Sequence, residues 1–249
     1  MAIVVDKQTD KMTIAIVPSA GFGRRFGSGR NKVFYPLLGV PVLARTLQRL
    51  QACRQIDEII PVVQDCDTED TRALIERFAI TKVKRLAPGG ERRQDSVYSA
   101  LGLIGGEPAG AAAVALIHDA ARPLISDALL RDCIAGLSGA DGLACDGLVC
   151  AVAVKDTVKE VVDGYVVKTL KRDSLMAVQT PQVFLCGTIL EAYRRAAADG
   201  LTFTDDTSAV EHYGGRIKII AGEYSNIKIT TRDDLAYAQW ILSQQTTSE

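Results

Sequence analysis

The 249-residue chain lacks an excess of either charge: Lys and Arg total 29, Asp and Glu 30, and the net charge is -1. That evenness removes the basic footprint of a nucleic-acid binder, although local cations can still serve small phosphates. Aromatic residues are scarce at 6%, which fits nucleic-acid binding poorly as well. No run approaches about 18 consecutive apolar residues, so no helix is expected to span a bilayer. Residues 1–13 are too short, and too polar in their second half, for a secretory signal. The chain has two histidines, His118 and His212, and six cysteines without a C-x-x-C pair or zinc spacing. The thiols read as reduced and mostly buried, the usage of a cytoplasmic protein. With so few imidazoles to activate a thiol, a catalytic cysteine is not expected, and no protein ligand set for a metal can be named.

What is present is a globular composition, 47% hydrophobic, in short Val/Ile-rich runs separated by segments of helical period. Strands are expected at Ile14–Val17, Glu58–Val63, Lys82–Leu86 and Ala113–His118. Helices are expected at Val42–Ala52, Asp70–Phe78, Ser96–Ile104 and Asp127–Leu137. This alternation predicts an α/β fold, a mostly parallel central sheet with helices on both faces. Ligands in such sheets sit beyond the carboxyl ends of strands, which directs attention to the loops after Val17, Leu86 and His118. The pattern breaks near residue 150. Val158–Val162 and Tyr165–Thr169 flank Asp163-Gly164, a tight hairpin signal. A lone hairpin is marginal in water, so this one either packs on its own domain or reaches a second subunit. A helix near Thr188–Ala198, strands at Arg216–Ile220 and Ile227–Thr230, and a closing helix introduced by Thr231 and Asp234 complete the reading.

The strongest chemical signal runs from Ile16 through Pro-Ser-Ala-Gly-Phe-Gly-Arg-Arg-Phe-Gly to Lys32. Gly21, Gly23 and Gly27 let backbone N–H groups approach phosphate oxygens, and Arg24, Arg25 and Lys32 supply charge. Phe26 stands where a Rossmann G-x-G-x-x-G needs glycine, and a Walker Gly-Lys-Ser/Thr is absent. A tight turn explains the glycines alone; the three cations favour an anion site. A second loop, Pro88-Gly-Gly-Glu-Arg-Arg-Gln-Asp-Ser, leads into a helix that Asp95 or Ser96 would cap. Asp119 and Arg122 follow the fourth strand, as a surface ion pair or as holders of sugar and phosphate. His118 reads as structural. Thr157 and Arg172 flank the hairpin and should meet near its base, and Lys228 reads as a solvent-facing residue of an edge strand.

Eight segments stand in order: PSAGFGRRF with Lys32, GGERRQDS, HDAARP, KDT, LKR, QTPQ, TDDTSAVE and NIKIT. Together they resemble the 2-C-methyl-D-erythritol 4-phosphate cytidylyltransferase family over essentially all of residues 14–243. The resemblance implies a Rossmann-like nucleotidyltransferase fold in one domain, 14–243, between tails at 1–13 and 244–249. A β-arm near 153–176 would protrude and exchange with a partner in a homodimer. It implies transfer of a cytidylyl group from CTP to the methylerythritol phosphate with release of pyrophosphate. Pro18, Ser19, Ala20, Gly21, Gly23, Gly90, Glu91, Ser96 and Ala120 would line the nucleotide site. Arg25 and Lys32 would stabilise the transition state; Lys228 and Arg172, the latter from the neighbouring arm, would place the acceptor phosphate. Asp119, Arg122, Thr157 and Thr180 would hold the rest of the acceptor. A magnesium ion, held mainly by the triphosphate, would be the cofactor. Ser19 stands where the family pattern has alanine, and Met176 where tryptophan is frequent. A ribitol-5-phosphate cytidylyltransferase and a non-catalytic nucleotide sensor are the alternatives, and no fused cyclase domain is expected after Glu249.

Overall fold

The computed structural model describes residues 11–21, 31–107, 110–137 and 145–246. Chain order begins with β1 (Thr13–Pro18), a short ribbon of β2 (Pro36–Leu37) and β3 (Val40–Pro41), α1 (Val42–Ala52), β4 (Glu58–Val63) and α2 (Thr68–Arg77). It continues through β5 (Ala87–Pro88), α3 (Arg93–Gly105), β6 (Val114–Ile117), α4 (Asp127–Leu137) and β7 (Gly147–Ala153). The hairpin of β8 (Lys159–Val162) and β9 (Tyr165–Thr169) follows, then β10 (Met176–Leu185), α5 (Cys186–Ala198), α6 (Asp206–His212), β11 (Ile217–Ala221) and α7 (Arg232–Thr246). Seven strands form one sheet in the order β11-β7-β10-β6-β1-β4-β5. Its neighbours pair in parallel except where β10 runs antiparallel to both β6 and β7.

The period-2 alternation of a strand buried on both faces explains the layering. Ala15, Val17, Ile59, Val114, Leu116 and Val183 point to one face, where Leu43, Leu47 and Leu50 of α1 and Leu129, Leu130 and Ile134 of α4 cover them. Ile14, Ile16, Ile60, Val62, Ala115, Ile117 and Phe184 point to the other, under Val97 and Leu101 of α3, Ile189 of α5 and Val210 of α6. Each fully buried aliphatic side chain contributes about 1.5–3 kcal/mol. A charge at Ile16, which is fully buried, would therefore lose that and add a large desolvation cost.

The structure departs from the sequence reading in the polar strands. Lys82–Leu86 makes one isolated bridge, Val83 to Ile59, and the edge strand is the two-residue β5 beyond it. Pro88 within it has no N–H to offer, which suits an edge position. Ile227–Thr230 forms no strand: Ile229 gives one backbone hydrogen bond to Ala121, at 2.8 Å, and no ladder follows. Its neighbours are occupied elsewhere, Asn226 O by Arg122 and the Thr230 N–H by Asp234. Lys228 is thus not on an edge strand facing solvent but in a loop against the sheet's end. Thr231 and Asp234 do form the reciprocal start of α7, at 2.8 and 3.3 Å.

The hairpin is a separate two-stranded sheet. Asp163 and Gly164 both have positive φ, 50° and 83°, the geometry of a type I′ turn. Val161, Val162, Tyr165, Val166 and Val167 are exposed, Tyr165 by 80%, so these apolar side chains do not pack on their own domain.

Candidate active site

The chain leaves β1 toward β4 and β5 on one side, then returns to place β6 on the other, so the order reverses between β1 and β6. Parallel sheets open a crevice at such a reversal, beyond the carboxyl ends of the strands. A cleft of about 520 Å³ lies there. Pro18, Ser19, Ala20 and Gly21 after β1, Gly90, Glu91, Arg93 and Ser96 after β5, and Asp119 and Ala121 after β6 line it, with Asn31, Lys32, Lys228 and Thr230.

Local hydrogen bonding shapes each wall. Ser19 donates both its N–H and its hydroxyl to Val62 O, at 2.9 and 2.7 Å, so the oxygen that distinguishes it from alanine is spent inside the protein. The Gln64 amide donates to Ala20 O at 3.2 Å and Gly90 O at 3.0 Å, tying the two glycine loops together. They touch closely enough that a Cβ on Gly89 would lie 2.5 Å from the Ala20 Cβ, whereas one on Gly21 would meet nothing within 4 Å among the described residues. Gly89 is thus glycine for packing, while Gly21 borders the cleft itself. Asn31 donates to Ser19 O at 2.6 Å and to Asp67 at 2.8 Å, and its Oδ1 accepts the Val33 N–H. These bonds fix the 3-10 turn Lys32–Phe34, and with it Lys32, against the first loop.

The third wall is electrostatic. Asp119, 8% exposed, has Lys228 Nζ on Oδ2 at 2.8 Å, Arg122 Nε on Oδ2 at 3.5 Å, and Arg93 Nε on Oδ1 at 3.2 Å. Burial alone would raise its carboxyl, but Arg93, Lys228 and Arg122 outweigh that and hold it far below the usual carboxylate range. Arg93 also reaches the fully buried Asp206 at 2.8 Å. Burial works to lower the Arg93 guanidinium too, and the two carboxylates reverse the effect, so it stays charged. Behind them, the bulge of β10 between Val178 and Gln182 turns Thr180 inward. Its hydroxyl oxygen accepts the Asp119 N–H and faces His118 Nδ1 at 3.1 Å. His118 Nε2 lies 3.1 Å from Arg122 O, which can only accept, so Nε2 carries the proton and Nδ1 receives the Thr180 hydroxyl. Burial lowers the imidazole to about 4, leaving it neutral.

The structure therefore gathers Pro18, Ser19, Ala20, Gly21, Lys32, Gly90, Glu91, Ser96, Asp119 and Lys228 around one cleft. Ala120 sits beneath it, its N–H on Pro18 O and its carbonyl taking the Thr46 hydroxyl. Arg122 and Thr180 are buried behind Asp119. Thr157 and Arg172 are not brought to the cleft within one chain; Arg172 stands at the base of the arm, where it donates to Lys155 O at 3.0 Å. Gly23, Arg24, Arg25 and Gly27 lie outside the described residues. Sequence reasoning missed Asn31, Gln64, Arg93 and Asp206 as parts of the site. Arg93 and Asp206 lie inside two of the ordered motifs, GGERRQDS and TDDTSAVE, which was the available signal.

Residues 13–244 match the IspD family, 2-C-methyl-D-erythritol 4-phosphate cytidylyltransferase. The chain belongs to this family. It is similar to the 2-C-methyl-D-erythritol 4-phosphate cytidylyltransferases of Symbiobacterium thermophilum, at 43% identity over 92% of each chain, and of Synechococcus elongatus, at 41% over 92% of this chain and 96% of that one. The crystal structure of 4-diphosphocytidyl-2C-methyl-D-erythritol synthase from Anaerococcus prevotii superposes with a TM-score of 0.80 at 30% identity, over 94% of this chain and 96% of that one. The family fold is thus the Rossmann-like α/β sheet described above.

Among the described residues no group of three His, Cys, Asp or Glu side chains could hold a metal ion. Asp119 is already saturated by cations, so its donor set does not fit a bound dication. No helix among the described residues is long and apolar enough to cross a membrane. All six cysteines are free thiols, four of them buried, and burial pushes the Cys186 thiol up to about 12.

Proposed function

We propose that this chain transfers the cytidylyl group of CTP to 2-C-methyl-D-erythritol 4-phosphate, giving 4-diphosphocytidyl-2-C-methyl-D-erythritol and pyrophosphate. The observation that carries the reading is the convergence of Lys32, Arg93 and Lys228, from three separate chain segments, on the crevice of a family member. The acceptor is a phosphate monoester, an anionic nucleophile near neutral pH, so no general base is required. His118, buried, neutral and hydrogen-bonded on both nitrogens, is not placed to act as one.

The difficulty is electrostatic: one phosphate must approach the α-phosphorus of a polyanion. The loop from Pro18 to Gly21, with Gly90, Glu91, Ser96 and Ala120, encloses the nucleotide. Lys32 and Arg25 stabilise charge developing on the transferring and leaving phosphates. Lys228 draws in the acceptor phosphate, and Asp119, with Arg122 and Thr180 behind it, orders the polyol hydroxyls. A magnesium ion carried by triphosphate oxygens and water would add charge neutralisation. The exposed valines and Tyr165 of the arm support a homodimer in which Arg172 and Thr157 of one copy reach the cleft of the other. The reduced thiols support a cytoplasmic setting.

Incubating purified protein with CTP, magnesium and the acceptor, beside ribitol 5-phosphate and with ATP, GTP and UTP as donors, tests the reading. Pyrophosphate should form with CTP and the methylerythritol phosphate. Equal turnover with ribitol 5-phosphate would favour the related activity, and no pyrophosphate above a boiled control would refute the enzyme reading.

A further inference from the structure

A buried chain of ionisable groups extends from the cleft into the helical layer. Lys228 meets Asp119, Asp119 meets Arg93, Arg93 meets Asp206, and Asp206 Oδ1 accepts the Tyr193 hydroxyl at 2.5 Å. Asp206 does not line the cleft and is fully buried, its backbone N–H held by Gln182 at 2.9 Å. Arg93 is the member that joins two carboxylates from different elements, the loop after β6 and the start of α6. It does so with separate nitrogens, Nε to Asp119 and Nη2 to Asp206, as a rigid guanidinium fork allows and an ammonium does not.

We propose that Arg93 is a positioning residue for the acceptor, acting through Asp119. Asp206 anchors one prong of the fork, the other prong occupies Asp119 Oδ1, and Oδ2 is thereby left facing Lys228. The orientation matters because Oδ2 is the oxygen shared with the ammonium, which sits 37% exposed at the cleft wall. Without Arg93 the carboxylate can rotate, and Lys228 loses the fixed anion that sets its place. Three charged groups face Asp119: Arg93 from α3, Arg122 from its own loop and Lys228 from the segment before α7, with neutral His118 adjacent. Asp206, Asp119 and Tyr193 face Arg93. Removing Arg93 takes away the largest opposing charge on Asp119, so that carboxyl must rise.

This inference rests on the acceptor reading above, and wild-type turnover tests that reading separately. Arg93→Met should raise KM for the methylerythritol phosphate about tenfold or more, the ordinary consequence of losing a charge-assisted hydrogen bond, while KM for CTP stays within about twofold. The loss should fall on KM for the acceptor and not on KM for CTP, a split that looser folding alone would not produce. Arg93→Lys should recover part of the loss. In a double-mutant cycle with Asp119→Asn the two effects on acceptor KM should be strongly non-additive. Additive effects, or a rise in CTP KM equal to that for the acceptor, would overturn the proposal, the latter by showing direct contact with the nucleotide. If Arg93→Met does not fold, Arg93→Lys enters the same cycle, where a smaller rise in acceptor KM and the same non-additivity with Asp119→Asn are expected.

Discussion

Acid should weaken this fold through one side chain, His118, before it reaches the carboxylates. The imidazole is fully buried and lowered from 6.5 to about 4. Its neutral form is built into the hydrogen-bond chain from the Asp119 N–H through Thr180 to Arg122 O. As pH falls below 6.5 the unfolded chain takes up a proton that the folded chain refuses. Stability is therefore complete above the unfolded value and lost toward the folded one, by about 1.4 kcal/mol per pH unit in the steep part of the window. Between pH 7 and 4.5 the loss is about 2 kcal/mol, a sizeable share of the roughly 5–15 kcal/mol that holds a domain together. Asp119 does not confuse the window, because its carboxyl is held far below 3.8 and its contribution persists until lower pH. Urea unfolding of wild type and His118→Gln at pH 7, 6, 5 and 4.5, at fixed ionic strength, measures the difference. The wild-type stability should fall toward that of the variant as acid is added. Parallel curves across that range, or an NMR titration of the His118 ring near 6.5 in intact protein, would refute the reasoning. Only two imidazoles exist, so His212→Gln assigns the resonance.

Lys32→Ala should lower kcat by at least about a hundredfold, the scale of losing one preorganised transition-state charge, while the thermal midpoint moves little; steady-state rates beside calorimetry decide it. Gly21→Ala should keep stability within about 0.5 kcal/mol, since its Cβ meets nothing within 4 Å among the described residues, yet raise KM for CTP. Gly89→Ala should lower stability by about 1–3 kcal/mol, because its Cβ would press on Ala20; thermal unfolding and CTP kinetics separate the pair. Cys145→Ser should leave turnover unchanged in the same assay, and a collapse would restore a thiol to the chemistry.

Local signals in the sequence carry the frame of the fold. The bounds of α1, β4 and α4 follow from apolar periodicity alone, since each buries one regular face or run against the sheet. The antiparallel β10 escapes that reading because Gln179, Thr180, Pro181 and Gln182 interrupt its middle. Those residues are tolerated there because the ladder is interrupted between Val178 and Gln182 and their polar groups find partners, Thr180 on Asp119 N and Gln182 on the start of α6. Ile227–Thr230 misleads for the opposite reason: it has the composition of a strand, but the backbone groups at its ends, Asn226 O and the Thr230 N–H, are taken by Arg122 and Asp234. In the cleft, the glycine loops and Lys32 are legible because phosphate chemistry leaves a local pattern. Arg93 and Asp206 are not, because the link between them joins α3 to α6, a tertiary fact without a spacing.

The arrangement of charge around Asp119 explains how several cations can share one partly buried cleft. Lys32, Arg93 and Lys228, left alone in a partly buried crevice, would repel one another and resist desolvation. Asp119 offsets this for Arg93 and Lys228, as it does for Arg122 behind them, and Asp206 offsets it again from the buried side of Arg93. The carboxylates are fixed in the core, one beside the buried His118–Thr180 pair and one under Tyr193, so they cannot follow a ligand outward. Lys228 is more exposed than its carboxylate partner, 37% against 8%, and its end can turn to an arriving phosphate while Asp119 stays in place. A cleft built in this way keeps an excess of cations over its two fixed carboxylates, with the Lys228 end able to reach phosphate, which is the electrostatic requirement of joining one phosphate to another.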